Sequence, residues 1–237
     1  MWSRLLHIFA GYHWLINGIL QNYELHGFVD GVWVSAILQM VYFTKFFWWE
    51  SGYMRTIDIM LDRAGFYICW GCLCWIPGVY ASVSMYLAPR AVELGFLWSV
   101  FVLAAGVISC MINYAADRQK LVVRQSNGKC LVWGRPAEVI RAEYTLTSGQ
   151  ARTSLLLVSG YWGLARHFHY VPELALAFLW SFPALFFNVM PYTYAIWLTI
   201  LLVHRTYRDD TKCRQKYGKH WDEYCRRVPY KMIPYVF

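Results

Sequence analysis

The sequence is short of charge. Only 15% of its 237 residues are Asp, Glu, Lys or Arg, against about 25% in an ordinary soluble domain. The shortage is concentrated: residues 66–87, 94–116 and 174–203 hold none of the four, and 28–49 holds only Asp30 and Lys45, near its ends. Runs of roughly 20 apolar residues are what a helix needs to cross a bilayer. A soluble single-core fold is thereby excluded, and an all-α polytopic membrane protein is expected. Residues 5–20, with His7 and His13 inside, form a weaker candidate span. Other absences narrow the chemistry. Neither G-x-G-x-x-G nor a P-loop is present, so any nucleotide is held without a glycine-rich cradle. The seven His form no H-x-x-H-H cluster, which excludes a di-iron hydroxylase, and no metal site is expected. The seven Cys are an odd number, and no secreted disulfide framework is indicated. Cys69, Cys72 and Cys74 sit in an apolar run without a basic neighbour, so they read as small packing residues rather than zinc ligands. The N-terminus lacks a cleavage site for a removed signal.

What charge there is lies in two places. Arg118, Lys120, Arg124, Lys129, Arg135, Arg141 and Arg152 fall in one polar loop, 117–154. Nine more cations, from Arg205 to Lys231, fall in the tail, 204–237. Short loops rich in Lys and Arg mark the cytoplasmic side of a membrane. Both segments are therefore placed in the cytosol, and the basic excess is assigned to the bilayer surface rather than to nucleic acid. An even number of crossings must then separate them. As one helix, 174–203 would be roughly 45 Å long, beyond the ~30 Å hydrocarbon core. Pro183 and Pro191 interrupt it, so a broken pair of short helices is expected, or a span paired with a re-entrant 155–170 segment. In the loop, Asn127-Gly128 between Leu121-Val122-Val123 and Cys130-Leu131-Val132-Trp133 reads as a hairpin turn, and Ser148-Gly149 as a second turn. Residues 155–170 read as an interfacial or re-entrant helix. The chain as a whole, 1–237, is expected to be one membrane domain: a helical bundle with a small cytosolic β-hairpin loop and a cytosolic cofactor-binding tail.

Two clusters carry chemistry. Glu50, Tyr53, Arg55, Asp58, Asp62 and Arg63 lead into an apolar run. Asp58 and Asp62, four apart, share a helix face; repulsion and desolvation would raise at least one pKa and keep a proton donor available near neutrality. The alternative is that both simply pair with Arg55 and Arg63. The second cluster is cationic. Lys120, Arg124, Arg208, Lys212 and Lys216 suit several phosphates, Trp162, Tyr170, Tyr217 and Tyr224 offer ring faces, and Asp209 is an acceptor for hydroxyl or amide protons.

The stretch "LLVHRTYRDDTKCRQKYGKHWDEY" resembles the C-terminal signature of the sterol reductases that use NADPH. "DRAGFYICWGCLCWIPGVY", "NGKCLVWGR" and "SLLLVSGYWGLARHFHYVPE" are most similar to the delta-7 branch of that family, and to its plant forms. The resemblance covers residues 47–237. It implies NADPH contacts at Lys120, Arg124, Leu157, Trp162, His169, Tyr170, Asp209, Cys213, Arg214, Gln215, Lys216, Tyr217 and Tyr224. It implies reduction of the C7–C8 double bond of Δ5,7-sterols in sterol biosynthesis, in the endoplasmic reticulum membrane. Glu50, Tyr53, Asp58 and Asp62 are the candidate proton donors. Where relatives carry His before the Asp-Arg pair, this chain has Leu61, which removes a polar group from any proton relay there. Family members are about twice as long, so this chain corresponds to their C-terminal half, and a separate first half or another membrane enzyme of the sterol pathway is a possible partner. Two alternatives stand beside this reading. One is a non-catalytic sterol- or NADPH-binding membrane protein. The other is a membrane methyltransferase of the isoprenylcysteine type, because Arg166-His167…Tyr170 and Tyr217-Gly218…Trp221…Tyr224…Val228-Pro229…Pro234 are similar to its signature.

Overall fold

The computed structural model describes residues 2–49, 52, 78–145 and 150–237, with side chains from Tyr12 onward. The four candidate proton donors, the Cys69–Cys72–Cys74 run, residues 66–77 of one expected span and the Ser148-Gly149 turn lie outside the described residues. The chain divides into two compact units, Met1–Met111 with Leu174–Leu198, and Ile112–Glu173 with Thr199–Phe237.

The first unit is helical. Helix α1 (Trp2–His26) ends at Gly27, whose φ of 75° only glycine adopts cheaply. Helix α2 (Asp30–Trp48) follows, and the short α3 (Ser82–Leu87) comes later. One Asn fixes α1 to the end of α3: the Asn22 amide donates to the carbonyls of Leu87 (3.0 Å), Ala88 (3.0 Å) and Arg90 (2.8 Å). Asp30 is not merely an interruption in an apolar run. Its carboxylate accepts from the Leu94 N–H (2.7 Å), the Gly95 N–H (2.8 Å) and the Ser99 hydroxyl (3.0 Å). It thus caps the start of α4 (Phe96–Gln125), where unpaired N–H groups and the helix dipole favour an anion. The core of the unit is aromatic. Tyr80, whose hydroxyl donates to the Gln39 carbonyl (3.0 Å), packs against Trp180 and Tyr194 at centroid distances of 5.2 and 5.3 Å.

Among the described residues one helix, α4, is long and apolar enough to cross a membrane. Phe96, Leu97, Trp98, Phe101, Ile108 and Met111 along it are exposed.

Residues 170–217 break as the prolines demand. Helix α6 (Tyr170–Ser181) gives way to two 3-10 turns, Phe182–Ala184 and Met190–Tyr192, before α7 (Thr193–Tyr217) begins. Pro183 and Pro191 sit within the opening residues of those turns, where no N–H is needed. The tail does not start afresh at 204. The charged residues to Tyr217 continue α7, and α8 (Lys219–Arg227) follows Gly218 (φ 51°).

The loop differs from the sequence expectation in two ways. Leu121-Val122-Val123 is helical, and Asn127-Gly128 (φ 53° and 81°) is the left-handed stop of α4, closed by Gly128 N–H to Val123 O at 2.8 Å. Two consecutive positive-φ residues suit a helix C-terminus as well as a hairpin, and here helix continuation wins. The hairpin lies further on, at Trp133-Gly134 (φ 51° and 77°), between β1 (Leu131–Val132) and β2 (Arg135–Pro136). Secondly, 155–170 is not a helix. Leu155–Leu157 closes β4 (Ala151–Leu157), which pairs antiparallel with β3 (Val139–Thr145) in the register Val139↔Leu157. A single helical turn, α5 (Tyr161–Leu164), follows. Gly160, at φ 65° and ψ −143°, cannot continue either element.

Candidate cofactor site

The second unit gathers most of the cationic and aromatic residues singled out in the sequence. The uncharged part of α4, 96–116, is about 31 Å long, enough for the ~30 Å hydrocarbon core. Lys120 follows this uncharged stretch, with Arg124 one turn further and exposed.

Trp162 is the fixed surface beside Lys120. Its indole N–H donates to the Ala116 carbonyl (2.8 Å), and the ring is buried with Val123, Val132 and Leu157. Its position follows from the turn before it. At Gly160 a Cβ would meet the Gln119 Oε1 at 2.3 Å and the Val132 Cγ1 at 2.5 Å. The same Gln119 oxygen accepts from the Tyr161 N–H (3.0 Å), satisfying an opening donor of α5. The Lys120 ammonium sits 3.9 Å from the centroid of the Trp162 ring, a cation–π distance. Burial, then the neighbouring Arg124, pull its pKa down to about 8, against the pull of Asp209 and Asp117.

His169 and Tyr170 complete the aromatic side. The His169 ring lies 4.9 Å from Trp162 and 4.2 Å from Tyr170, and its carbonyl accepts from the Asn113 amide (2.7 Å).

Helix α7 supplies the polar side. Asp209, Cys213 and Lys216, spaced at i, i+4 and i+7, share one face. Burial raises the Asp209 carboxyl, with Lys120 the chief opposing influence. Burial and Asp209 push the Cys213 thiol up to about 12, so it is no nucleophile at neutral pH. His167 Nε2 lies 3.5 Å from Asp209 Oδ2. Burial, with Lys120, Arg166, Arg205 and Lys231 adding to it, drives His167 down to about 3. The imidazole is therefore neutral, and the tautomer that can donate to Asp209 Oδ2 carries its proton on Nε2.

Other expected residues divide by environment. Arg214, Gln215 and Lys216 are exposed; Arg214 reaches Asp222 at 3.6 Å, and the Lys216 ammonium lies 4.2 Å from the Tyr144 ring centroid. Tyr217 and Tyr224 are buried with Ile140, Leu156, Trp221 and Val228, so their rings join α7 and α8 to the antiparallel β3–β4 pair. Three contributors were not singled out as site residues in the sequence. His167 entered only as part of a shared motif, and Asp210 and Gln119 were not named. A charged or polar residue immediately beside each named one was the available clue.

The chain matches the Ergosterol biosynthesis ERG4/ERG24 family over residues 8–237. It belongs to that family. Similar proteins include a 7-dehydrocholesterol reductase of Arabidopsis thaliana, 56% identical over 219 residues, which are 92% of this chain and 51% of that protein. A 7-dehydrocholesterol reductase of Xenopus laevis is 39% identical over 90% of this chain and 46% of its own length. A Delta(14)-sterol reductase of Mus musculus is 36% identical over 92% of this chain and 50% of its own. This member of the family thus spans about half the length of those relatives.

Proposed function

We propose that this chain carries the cofactor-binding part of a membrane sterol reductase that uses NADPH and reduces the C7–C8 double bond of Δ5,7-sterols. The observation that carries the reading is the Lys120–Trp162–Asp209 grouping within one unit of a chain from this family. Identity to the plant 7-dehydrocholesterol reductase supports delta-7 rather than delta-14 chemistry. The exposed apolar residues of α4 support residence in a membrane; the endoplasmic reticulum, with the 117–154 loop and the tail in the cytosol, fits the distribution of basic residues.

The donor set fits the cofactor. Lys120 and Arg124, with Arg208, Lys212 and Lys216 of α7, offer cations to phosphates. Asp209, held against a neutral His167, keeps acceptor capacity for the protons of an amide or a ribose hydroxyl. Trp162 and the His169–Tyr170 pair supply flat faces for a ring. When bound, NADPH supplies the hydride that one alkene carbon receives. The protein must deliver a proton to the other carbon and stabilise the positive charge that develops between the two events. Asp58, Asp62, Glu50 and Tyr53 are the proposed donors.

The discriminating experiment is a binding titration of the purified chain with NADPH and, in parallel, S-adenosylmethionine. Saturable NADPH binding that weakens in Lys120→Ala is expected. Binding of S-adenosylmethionine alone would replace the reductase reading with the methyltransferase one.

A further inference from the structure

The sequence contains two short strings, Arg166-His167 and Val228-Pro229, that the cofactor contacts leave unexplained. The structure brings them together. Arg166 is 6% exposed, and its Nη1 donates to the carbonyls of Val228 (2.9 Å) and Pro229 (3.3 Å). The backbone alongside adds two bonds: Arg166 N–H to Tyr230 O at 3.0 Å, and His167 N–H to Lys231 O at 2.8 Å. The other arm of the guanidinium, Nη2, lies 3.9 Å from Asp210 Oδ1. That carboxylate also accepts from the Trp221 indole N–H (3.0 Å), with the Cys225 thiol at 3.9 Å.

Arginine is the residue this place requires. Residues 228–231 belong to neither helix nor strand, so their carbonyls take donors from elsewhere. A planar fork with five N–H groups serves two carbonyls and a carboxylate at once, which a single ammonium does not. The register is the informative part. Arg166 faces Asp210 while its neighbour His167 faces Asp209. Two adjacent residues of the 166–169 turn therefore meet two adjacent residues of α7. Asp209 and Asp210 point about 100° apart around the helix, so holding one sets the direction of the other.

We infer that Arg166 is a positioning residue for the cofactor site: through Asp210 and the segment 228–231 it fixes the rotation of α7 that presents Asp209 to His167 and to the cofactor. The cofactor half of this statement rests on the NADPH reading; the positioning half does not. The network splits the Asp209-Asp210 pair into two roles. Asp210 ties α7 to the turn, to Trp221 of α8 and, through Arg166, to the end of the chain, while Asp209 stays at the site with Lys120 and Cys213 beside it.

The test uses Arg166→Lys and the milder Asp210→Asn in the full chain, with two readouts. One is the KM for NADPH against the KM for sterol. Losing the 3.9 Å charge contact between buried Arg166 and partly exposed Asp210 should raise the NADPH KM about tenfold or more while the sterol KM stays within about twofold. A general loss of folded protein would lower the active fraction without that split. The other is the rate at which maleimide alkylates Cys213, followed by peptide mass spectrometry, which needs no cofactor. Rotation of α7 should expose the thiol and raise that rate about fivefold or more. Arg166→Ala should regain NADPH affinity when guanidinium is added at low millimolar concentration. Unchanged Cys213 reactivity and an unchanged NADPH KM in Asp210→Asn would overturn the assignment. Faster alkylation in the variants, together with no NADPH binding by the wild-type chain, would uphold the positioning role and overturn the cofactor reading alone.

Discussion

At Lys120 two opposing forces can be weighed. Burial over the Trp162 face and the adjacent Arg124 favour loss of the proton; Asp209 and Asp117 oppose it, and the balance falls at about 8. The charged form is the one that attracts phosphate, so NADPH affinity should fall as pH rises through about 8 and be restored below it. In Lys120→Arg the fall should vanish, because guanidinium stays charged throughout. Dissociation constants measured from about pH 6.5 to 9.5 check this; an identical pH profile in the two proteins would contradict the role. Trp162→Phe keeps a ring but loses the 2.8 Å bond to Ala116, which should cost about 1 kcal/mol of stability, read as a lower Tm. By contrast, the 2.6 Å ion pair Arg227–Glu138 is exposed at both ends. Arg227→Ala should change Tm hardly at all, because the pair is worth at most about 1 kcal/mol.

At the scale of elements, the Gly160 turn governs where Trp162 sits. Gly160→Ala puts a Cβ where Gln119 and Val132 already are, in a backbone conformation foreign to L-residues. We expect a loss of about 1–3 kcal/mol and weaker NADPH binding, measured by thermal melting and by titration. Gly134→Ala, at φ 77° with no atom near its Cβ position, should carry backbone strain alone and leave NADPH binding intact. The comparison separates the turn's effect on the site from simple destabilisation. These two glycines also mark what was legible in the sequence. The apolar run of α4 and the break imposed by Pro183 and Pro191 followed from composition and from proline's missing N–H. The Asn127-Gly128 turn did not, because a pair of left-handed residues ends a helix as readily as it reverses a strand. Nor did β4, whose Leu155–Leu157 reads equally well as helix until its partner Val139–Arg141 is known.

At the scale of the molecule, the residue types of the candidate site were legible before their arrangement was. Lys120, Trp162 and Asp209 stood out by residue type, yet the division of labour between Asp209 and Asp210 depends on which faces of α7 meet His167 and Arg166. No local pattern encodes that. The buried Tyr217 and Tyr224 make the same point: residue type marked them as aromatic surfaces, and only the structure shows that their rings pack α7 and α8 against the β3–β4 pair. The chain spans about half the length of its relatives, which makes activity the decisive issue. The direct measurement is NADPH-dependent conversion of 7-dehydrocholesterol in microsomes free of endogenous sterol reductase, with this chain expressed and a Δ14-sterol supplied in parallel. The account predicts loss of the conjugated-diene absorbance with NADPH, selective for the Δ5,7-sterol and abolished in Lys120→Ala. Sterol and NADPH binding without any turnover, or turnover of the Δ14-sterol alone, would contradict it.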